Sequence, residues 1–210
     1  AAGWVATVRS MRTRLTEMLN IDHPIMLAGM GGVSYHHLVA AVSEAGGIGT
    51  LGASTMSAEE LPVEMAKVRA ETAKPFGVDL LTALPGQVER GIQSVIDGGA
   101  SIFVAGLGVP REVVELLHAH NILVGSMCGK VRHAVSAVAS GVDFVVAQGT
   151  EGGGHTGTVA TIDNRSALVI YDVQERQCPF RVRNPSHEFG VMRMDHTWLP
   201  GDGSSVRSVG

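Results

Sequence analysis

Phe144-Val-Val-Ala-Gln-Gly-Thr-Glu-Gly-Gly-Gly-His-Thr-Gly157 is the stretch that decides how this chain folds. An apolar run without alternation, Phe144 to Ala147, implies a strand buried on both faces, which a parallel sheet flanked by helices requires. It ends in a polar loop with three consecutive glycines, Gly152, Gly153 and Gly154. Glycines let the backbone approach a ligand closely, and their N–H groups can face an anion such as a phosphate. His155 stands at the edge of that concavity, and an imidazole that titrates near neutral pH is suited to proton transfer.

Upstream, the same strand type recurs at the spacing of repeated βα units. Strands are expected near 23–29, 47–53, 76–81, 101–107, 122–127 and 144–149. Helix signals fall between them: Ser34 ahead of Tyr35 to Val42, with Gly46-Gly47 as the stop; Ser57-Ala-Glu-Glu60 as a capping box; and Pro110 in a first helical turn. Ile25 and Met26 read as core. An open doubly wound sheet and a (β/α)8 barrel both fit this rhythm. The barrel is preferred because strand after strand ends in small or polar residues: Ala28-Gly29-Met30, Gly52-Ala53, Asp79, Gly106 and Gln148-Gly149. No Gly-x-Gly-x-x-Gly follows the first strand, which argues against a dinucleotide fold. After about Ala160 the rhythm stops. Residues 161–210 carry six arginines, no lysine and a Gly/Ser-rich end, so an irregular tail is expected, with Ser166 to Tyr171 as a poorly placed seventh strand. The expected organisation is an N-terminal extension and first helix at 1–20, a barrel portion of about six βα units at 21–160, and a divergent tail at 161–210. Six strands would leave two open sheet edges, which the tail or a second copy would have to cover.

Composition narrows the function. At 210 residues, 45% hydrophobic and 17% charged, the chain can bury a sizeable core. A formal net charge of −4 with no dense Lys/Arg block offers no footprint for nucleic acid or an anionic membrane surface, so a small-molecule partner is expected. No apolar run approaches the roughly 20 residues that span a bilayer. Cys128 and Cys178 have no metal-ligand spacing and suggest a reducing, cytoplasmic setting. Arg9, Arg12 and Arg14 without an acid before Glu17 faintly resemble a transit peptide; Met11 has the look of a start, with 1–10 as an extension. No metal site is expected, since His36-His37 and His118-x-His120 have no third ligand at useful spacing.

Four segments together resemble the nitronate monooxygenases, once called 2-nitropropane dioxygenases: His23-Pro-Ile-Met-Leu-Ala-Gly-Met30, Ser43-Glu-Ala-Gly-Gly-Ile-Gly-Thr50, Pro75-Phe-Gly-Val-Asp-Leu80 and Ala147 to Gly157. The resemblance covers about residues 20–160. It implies a (β/α)8 barrel that binds FMN and oxidises alkyl nitronates and nitroalkanes with O2 to carbonyl compounds and nitrite. Ala28, Gly29 and Met30 match the segment beside the flavin ring. Asp79 stands where the family often has asparagine, an exchange that removes two N–H donors and adds a charge. Gln148, Gly153 and Gly154 match positions near the flavin and its phosphate, and His155 matches the catalytic histidine, which would remove the α-proton of a neutral nitroalkane. Lys130 is a candidate phosphate contact, although the family lysine more often comes about three residues earlier, where this chain has Met127. The family's Ala-Ala-Gly-Gly-Ile and Gly-Thr-Arg-Phe turns, which cradle the phosphate, have no counterpart in 161–210. Two other functions fit less completely: a flavin-dependent enoyl-acyl-carrier-protein reductase, which shares a glycine loop with histidine, and an inactive truncated barrel that acts as a binding piece.

Overall fold

A computed structural model describes residues 12–82, 87–154, 156, 158–160, 181–183, 189–192 and 198–200. The chain is treated as two compact units, residues 1–104 and 105–210.

The first unit is a parallel α/β arrangement. It begins with helix α1 (Arg14–Leu19), capped by Thr13, whose hydroxyl accepts from the Thr16 backbone N–H. Helix α2 (His36–Glu44) leads to strand β1 (Gly49–Gly52), and α3 (Glu60–Glu71) leads to β2 (Phe76–Leu80). Helix α4 (Gln87–Asp97) precedes β3 (Ile102–Ala105), which reaches the boundary with the second unit. The strands lie in the order β1-β2-β3, and β1 and β2 are parallel with Gly49 opposite Phe76 and Gly52 opposite Asp79. β1 is buried along its whole length, its one polar side chain, Thr50, included. Helix α2 sits directly on it: a Cβ at Gly49 would lie 2.0 Å from the Val39 carbonyl oxygen. Ser43 of α2 fixes that contact by donating to Pro75 O at 2.8 Å and accepting from Gly49 N–H at 3.0 Å. Val39, Leu51, Met65, Val68, Phe76 and Ile102 form the core between helices and strands. Helices α2 and α3 are also joined by Glu64, which accepts from the backbone N–H of His36 and pairs with its ring and with Lys67. Burial alone would push the Glu64 pKa up, but the hydrogen bonds from Lys67 and His36 outweigh it and hold it at about 2.

In the second unit, α5 (Arg111–Ala119), β4 (Leu123–Cys128), α6 (Val131–Ser140) and β5 (Phe144–Ala147) repeat the βα order. β4 and β5 pair in parallel, Gly125 opposite Phe144 and Cys128 opposite Ala147. Buried Asp143 ties the start of this pair to α5: its Oδ2 accepts from Val124 N–H at 2.7 Å and lies 2.8 Å from His118 Nε2. His118 is thus a partner of a structural carboxylate.

Several expectations need correction. The strand expected at 23–29 reduces to one parallel bridge, Met26 to Ile48. The Asp22 and His23 N–H groups both go to Gly46 O, and Pro24 has no N–H, so only Leu27 N–H and Ile25 O reach Ile48. Ile25, expected in the core, is 60% exposed. Ser34 does not cap α2: Tyr35 holds the cap position, and the Ser34 hydroxyl is used elsewhere. Pro110 is the cap residue of α5, one position ahead of its first turn. The cap residue of α3 is Glu59, without a side-chain cap hydrogen bond, in place of the expected capping box; the Ser57 hydroxyl, in the turn before it, accepts from Glu60 N–H at 3.1 Å. The tail is not wholly irregular, since β6 (Arg181–Arg183), β7 (Phe189–Met192) and β8 (Trp198–Pro200) make an antiparallel sheet, with Val182, Phe189, Val191 and Trp198 supplying β-formers. The seventh strand expected at 166–171 lies outside the described residues.

Candidate active site

In the first unit, Ala28, Gly29 and Met30 follow the Met26 bridge and turn sharply into α2. Ser34 makes the turn: its hydroxyl accepts from Met30 N–H at 2.9 Å and donates to Ala28 O at 2.9 Å. Ser34 O also accepts from Gly52 N–H at 3.2 Å, tying the segment to the end of β1. The packing there excludes side chains. A Cβ at Gly52 would lie 2.4 Å from the Met30 carbonyl, and one at Gly29 would lie 2.1 Å from Asp79 Cβ. The sequence candidates Gly29, Met30 and Asp79 are therefore neighbours at the carboxyl ends of β1 and β2, the end of a parallel sheet where ligands bind. Met30 leaves 39% of its surface exposed there.

Asp79 is half-buried and has no hydrogen-bond or ion-pair partner among the described residues. Desolvation by burial raises its carboxyl pKa from 3.8 to about 7. A carboxyl at that value is neutral in about half the molecules near neutral pH and then carries one O–H donor. Thr50 of β1, opposite Gly77, keeps its hydroxyl buried with no hydrogen-bond partner among the described residues.

In the second unit, β5 delivers Gln148, whose backbone N–H donates to Cys128 O at 3.0 Å. Its side-chain Nε2 donates to Gly153 O at 3.1 Å and so braces the glycine loop from inside. A hydrogen bond from Thr150 N–H to Val159 O at 3.1 Å closes the loop at its base. Gly154 has a φ of +75°, a conformation that explains the glycine. A Cβ at Gly153 or Gly154 would meet nothing within 4 Å, and no described residue takes their N–H groups. His155 lies outside the described residues. Lys130 is the cap residue of α6, half-buried, just beyond the end of β4. Cys128, which the sequence marks only as a cysteine without metal-ligand spacing, is buried at the end of β4 with its thiol pushed up to about 11 by burial, and its backbone carbonyl is the acceptor for Gln148.

In the first unit β1 and β2 thus end beside a glycine-cleared turn, and in the second the parallel pair β4 and β5 ends beside a glycine-rich loop. The sequence profile described as nitronate monooxygenase matches residues 12–91 and 82–176, and the chain belongs to that family. The match runs past residue 160, so the family's part of the chain extends into the segment expected to be divergent. The chain is 38% identical, over 72% of its length and 42% of the relative's, to the (3aS,4S,5R,7aS)-5-hydroxy-7a-methyl-1-oxo-octahydro-1H-indene-4-carboxyl-CoA dehydrogenase of Mycobacterium tuberculosis. It is 31% identical to a probable nitronate monooxygenase of Staphylococcus haemolyticus, over 75% of this chain and 54% of that one. Among solved structures it resembles FabK from Thermotoga maritima, as the M276A mutant (TM-score 0.72, 32% identity, 76% of this chain and 55% of that chain). A nitroalkane oxidase from Streptomyces ansochromogenes matches with a TM-score of 0.65 and 27% identity, over 74% of this chain and 58% of that one. The chain spans about half the length of the curated relatives it matches. No helix among the described residues is long and apolar enough to cross a membrane.

Proposed function

We propose that this chain is the flavin-holding portion of an oxidoreductase that converts alkyl nitronates, and nitroalkanes, to carbonyl compounds and nitrite at the expense of O2. The observation that carries this is the loop after β5, where a family motif coincides with two glycines that have open space around their Cα atoms and whose N–H groups no described residue accepts from. That donor set suits a phosphate, and FMN is the group that combines a phosphate with the required redox chemistry. Residues 21–160 are taken as the FMN-binding part of a (β/α)8 barrel.

The residues would divide the work as follows. Gly153 and Gly154, with Lys130, hold the phosphate, and Gln148 keeps the loop in shape. Ala28, Gly29 and Met30 offer backbone and an apolar side chain to the ring system, where the clearance at Gly29 and Gly52 lets the chain run close. Asp79, with its raised pKa, donates one hydrogen bond while neutral, which partly restores what the family's asparagine provides. When bound, FMN would supply the redox chemistry of the oxidation. His155 acts as base toward a neutral nitroalkane, removing the α-proton; a nitronate arrives without that proton. Replacing His155 by Asn therefore abolishes most nitroalkane turnover and spares nitronate turnover, when both are followed by nitrite release. Equal loss on both substrates refutes the assignment of the base.

A second reading has a specific observation behind it: the CoA-thioester dehydrogenase relative shares more identity with this chain than the nitronate monooxygenase relatives do, and the FabK fold matches well. An oxidoreductase of acyl or enoyl thioesters would use the same flavin site. Consumption of NAD(P)H with an enoyl thioester, and no nitrite from nitronates, decides for it.

A further inference from the structure

Away from the strand ends, the first unit gathers two histidines and a glutamate between α2 and α3. His36 and His37 are the first two residues of α2, and Glu71 is the last residue of α3. His36 Nε2 lies 3.6 Å and His37 Nδ1 2.8 Å from the same oxygen, Glu71 Oε1. All three atoms fall within 4.8 Å of one another. The third ligand that sequence spacing did not offer is supplied by the fold, from 34 positions beyond His37.

The proton arrangement around His36 makes this more than a surface cluster. Its Nδ1 is 2.6 Å from Glu64 Oε2, and Glu64 is itself held as a carboxylate by Lys67 at 2.7 Å and by the His36 backbone N–H. A carboxylate can only accept, so Nδ1 carries the proton. That leaves Nε2 as the atom on the Glu71 side, where it and His37 Nδ1 converge on the same carboxylate oxygen, so a cation placed there would meet two ring nitrogens and one oxygen. A histidine whose far nitrogen donates to a carboxylate is also how proteins orient imidazole toward a metal. Glu64 is nearly inaccessible, whereas His37 has 80% and Glu71 35% of its side chain exposed, so an ion can enter from solvent.

We propose that His36 Nε2, His37 Nδ1 and Glu71 Oε1 form a binding site for a divalent transition-metal ion, with zinc as the reference, that clamps the start of α2 to the end of α3. Two nitrogens and one carboxylate oxygen suit a borderline ion and leave a fourth position to water. Tetrahedral zinc would set its ligand atoms about 3.3 Å apart, which side-chain rotation of the exposed His37 and Glu71 can reach. The clamp would act two residues from Ser34, whose hydroxyl shapes the Ala28 to Met30 turn, without touching any residue assigned to the flavin.

The test uses the full chain stripped with a chelator, then titrated with Zn2+ by calorimetry at neutral pH, with melting temperature recorded in parallel. The expected result is saturable one-to-one binding with a rise in melting temperature. His37→Ala and Glu71→Gln should each weaken binding by roughly tenfold or more and remove the rise, and His120→Ala should change neither. Co2+ in place of Zn2+ should give a visible tetrahedral spectrum in the unaltered chain only. Failure to bind one equivalent, or affinity unaltered in both His37→Ala and Glu71→Gln, overturns the proposal. Neither outcome bears on flavin binding, which is measured separately.

Discussion

Replacing Asp79 by Asn should stabilise the protein, and increasingly so as pH rises. Asn has the same shape, so the tight approach of Gly29 is kept. What changes is the charge. The native carboxyl titrates at about 7 against 3.8 in the unfolded chain, and a native pKa raised in this way means stability present below pH 3.8 and lost as pH climbs through 7. At 1.36 kcal/mol per pH unit, the full loss is about 4 kcal/mol. Because Asp79 keeps some solvent contact, about 2 to 4 kcal/mol is expected above pH 8, about half of that near pH 5.5, and almost none near pH 4. Urea unfolding of both proteins at those three pH values gives the difference directly, and all other carboxylates cancel in the comparison. Parallel stability profiles, or an Asn variant less stable at pH 8, would refute the claim that an unpartnered carboxyl is being desolvated there.

Three further substitutions probe the candidate residues of the two units. Gly29→Ala places a Cβ 2.1 Å from Asp79 Cβ and should cost about 1 to 3 kcal/mol in urea unfolding, since the neighbour is the root of a side chain and cannot swing aside. Thr50→Val removes a buried hydroxyl with no partner among the described residues and should leave stability unchanged or raise it by about 1 kcal/mol; a clear loss would mean that the hydroxyl is paired after all. Gly154→Ala, at a φ of +75°, should strain the loop by about 1 to 2 kcal/mol and weaken flavin binding in a fluorescence titration, with the core unaffected.

The parts of the fold that were legible in the sequence are those governed by local signals. Unalternating apolar runs became strands: Ile102 to Ala105 is buried throughout, as burial on both faces requires, whereas in Phe144 to Ala147 only Phe144 and Val145 are buried and the end leading into the glycine loop is half-buried. The run at 23–29 looks equally apolar, but strand formation depends on a partner ladder, and Pro24 together with the bifurcated Gly46 carbonyl leaves only one bridge. Ser34 has a helix-cap sequence, yet its hydroxyl is drawn to the Ala28 carbonyl, a competition no local pattern reveals. At the site, the small residues Gly29 and Gly52 announced close approach, whereas the neighbour of each was a tertiary fact. The raised pKa of Asp79 follows from burial without a partner and could not be read from the letter D. The His36, His37 and Glu71 cluster escaped notice for a related reason: ligand spacing is legible only when the ligands share one local element.

The central claim is that this chain holds a flavin, and titrating FMN into the purified full chain while following quenching of flavin fluorescence tests it most directly. The account predicts saturation at one FMN per chain, weakened roughly tenfold or more by alanine at both Gly153 and Gly154, and loss of the yellow absorbance when a nitronate is added without oxygen. Fluorescence that stays linear with added FMN, with no saturation, would contradict it.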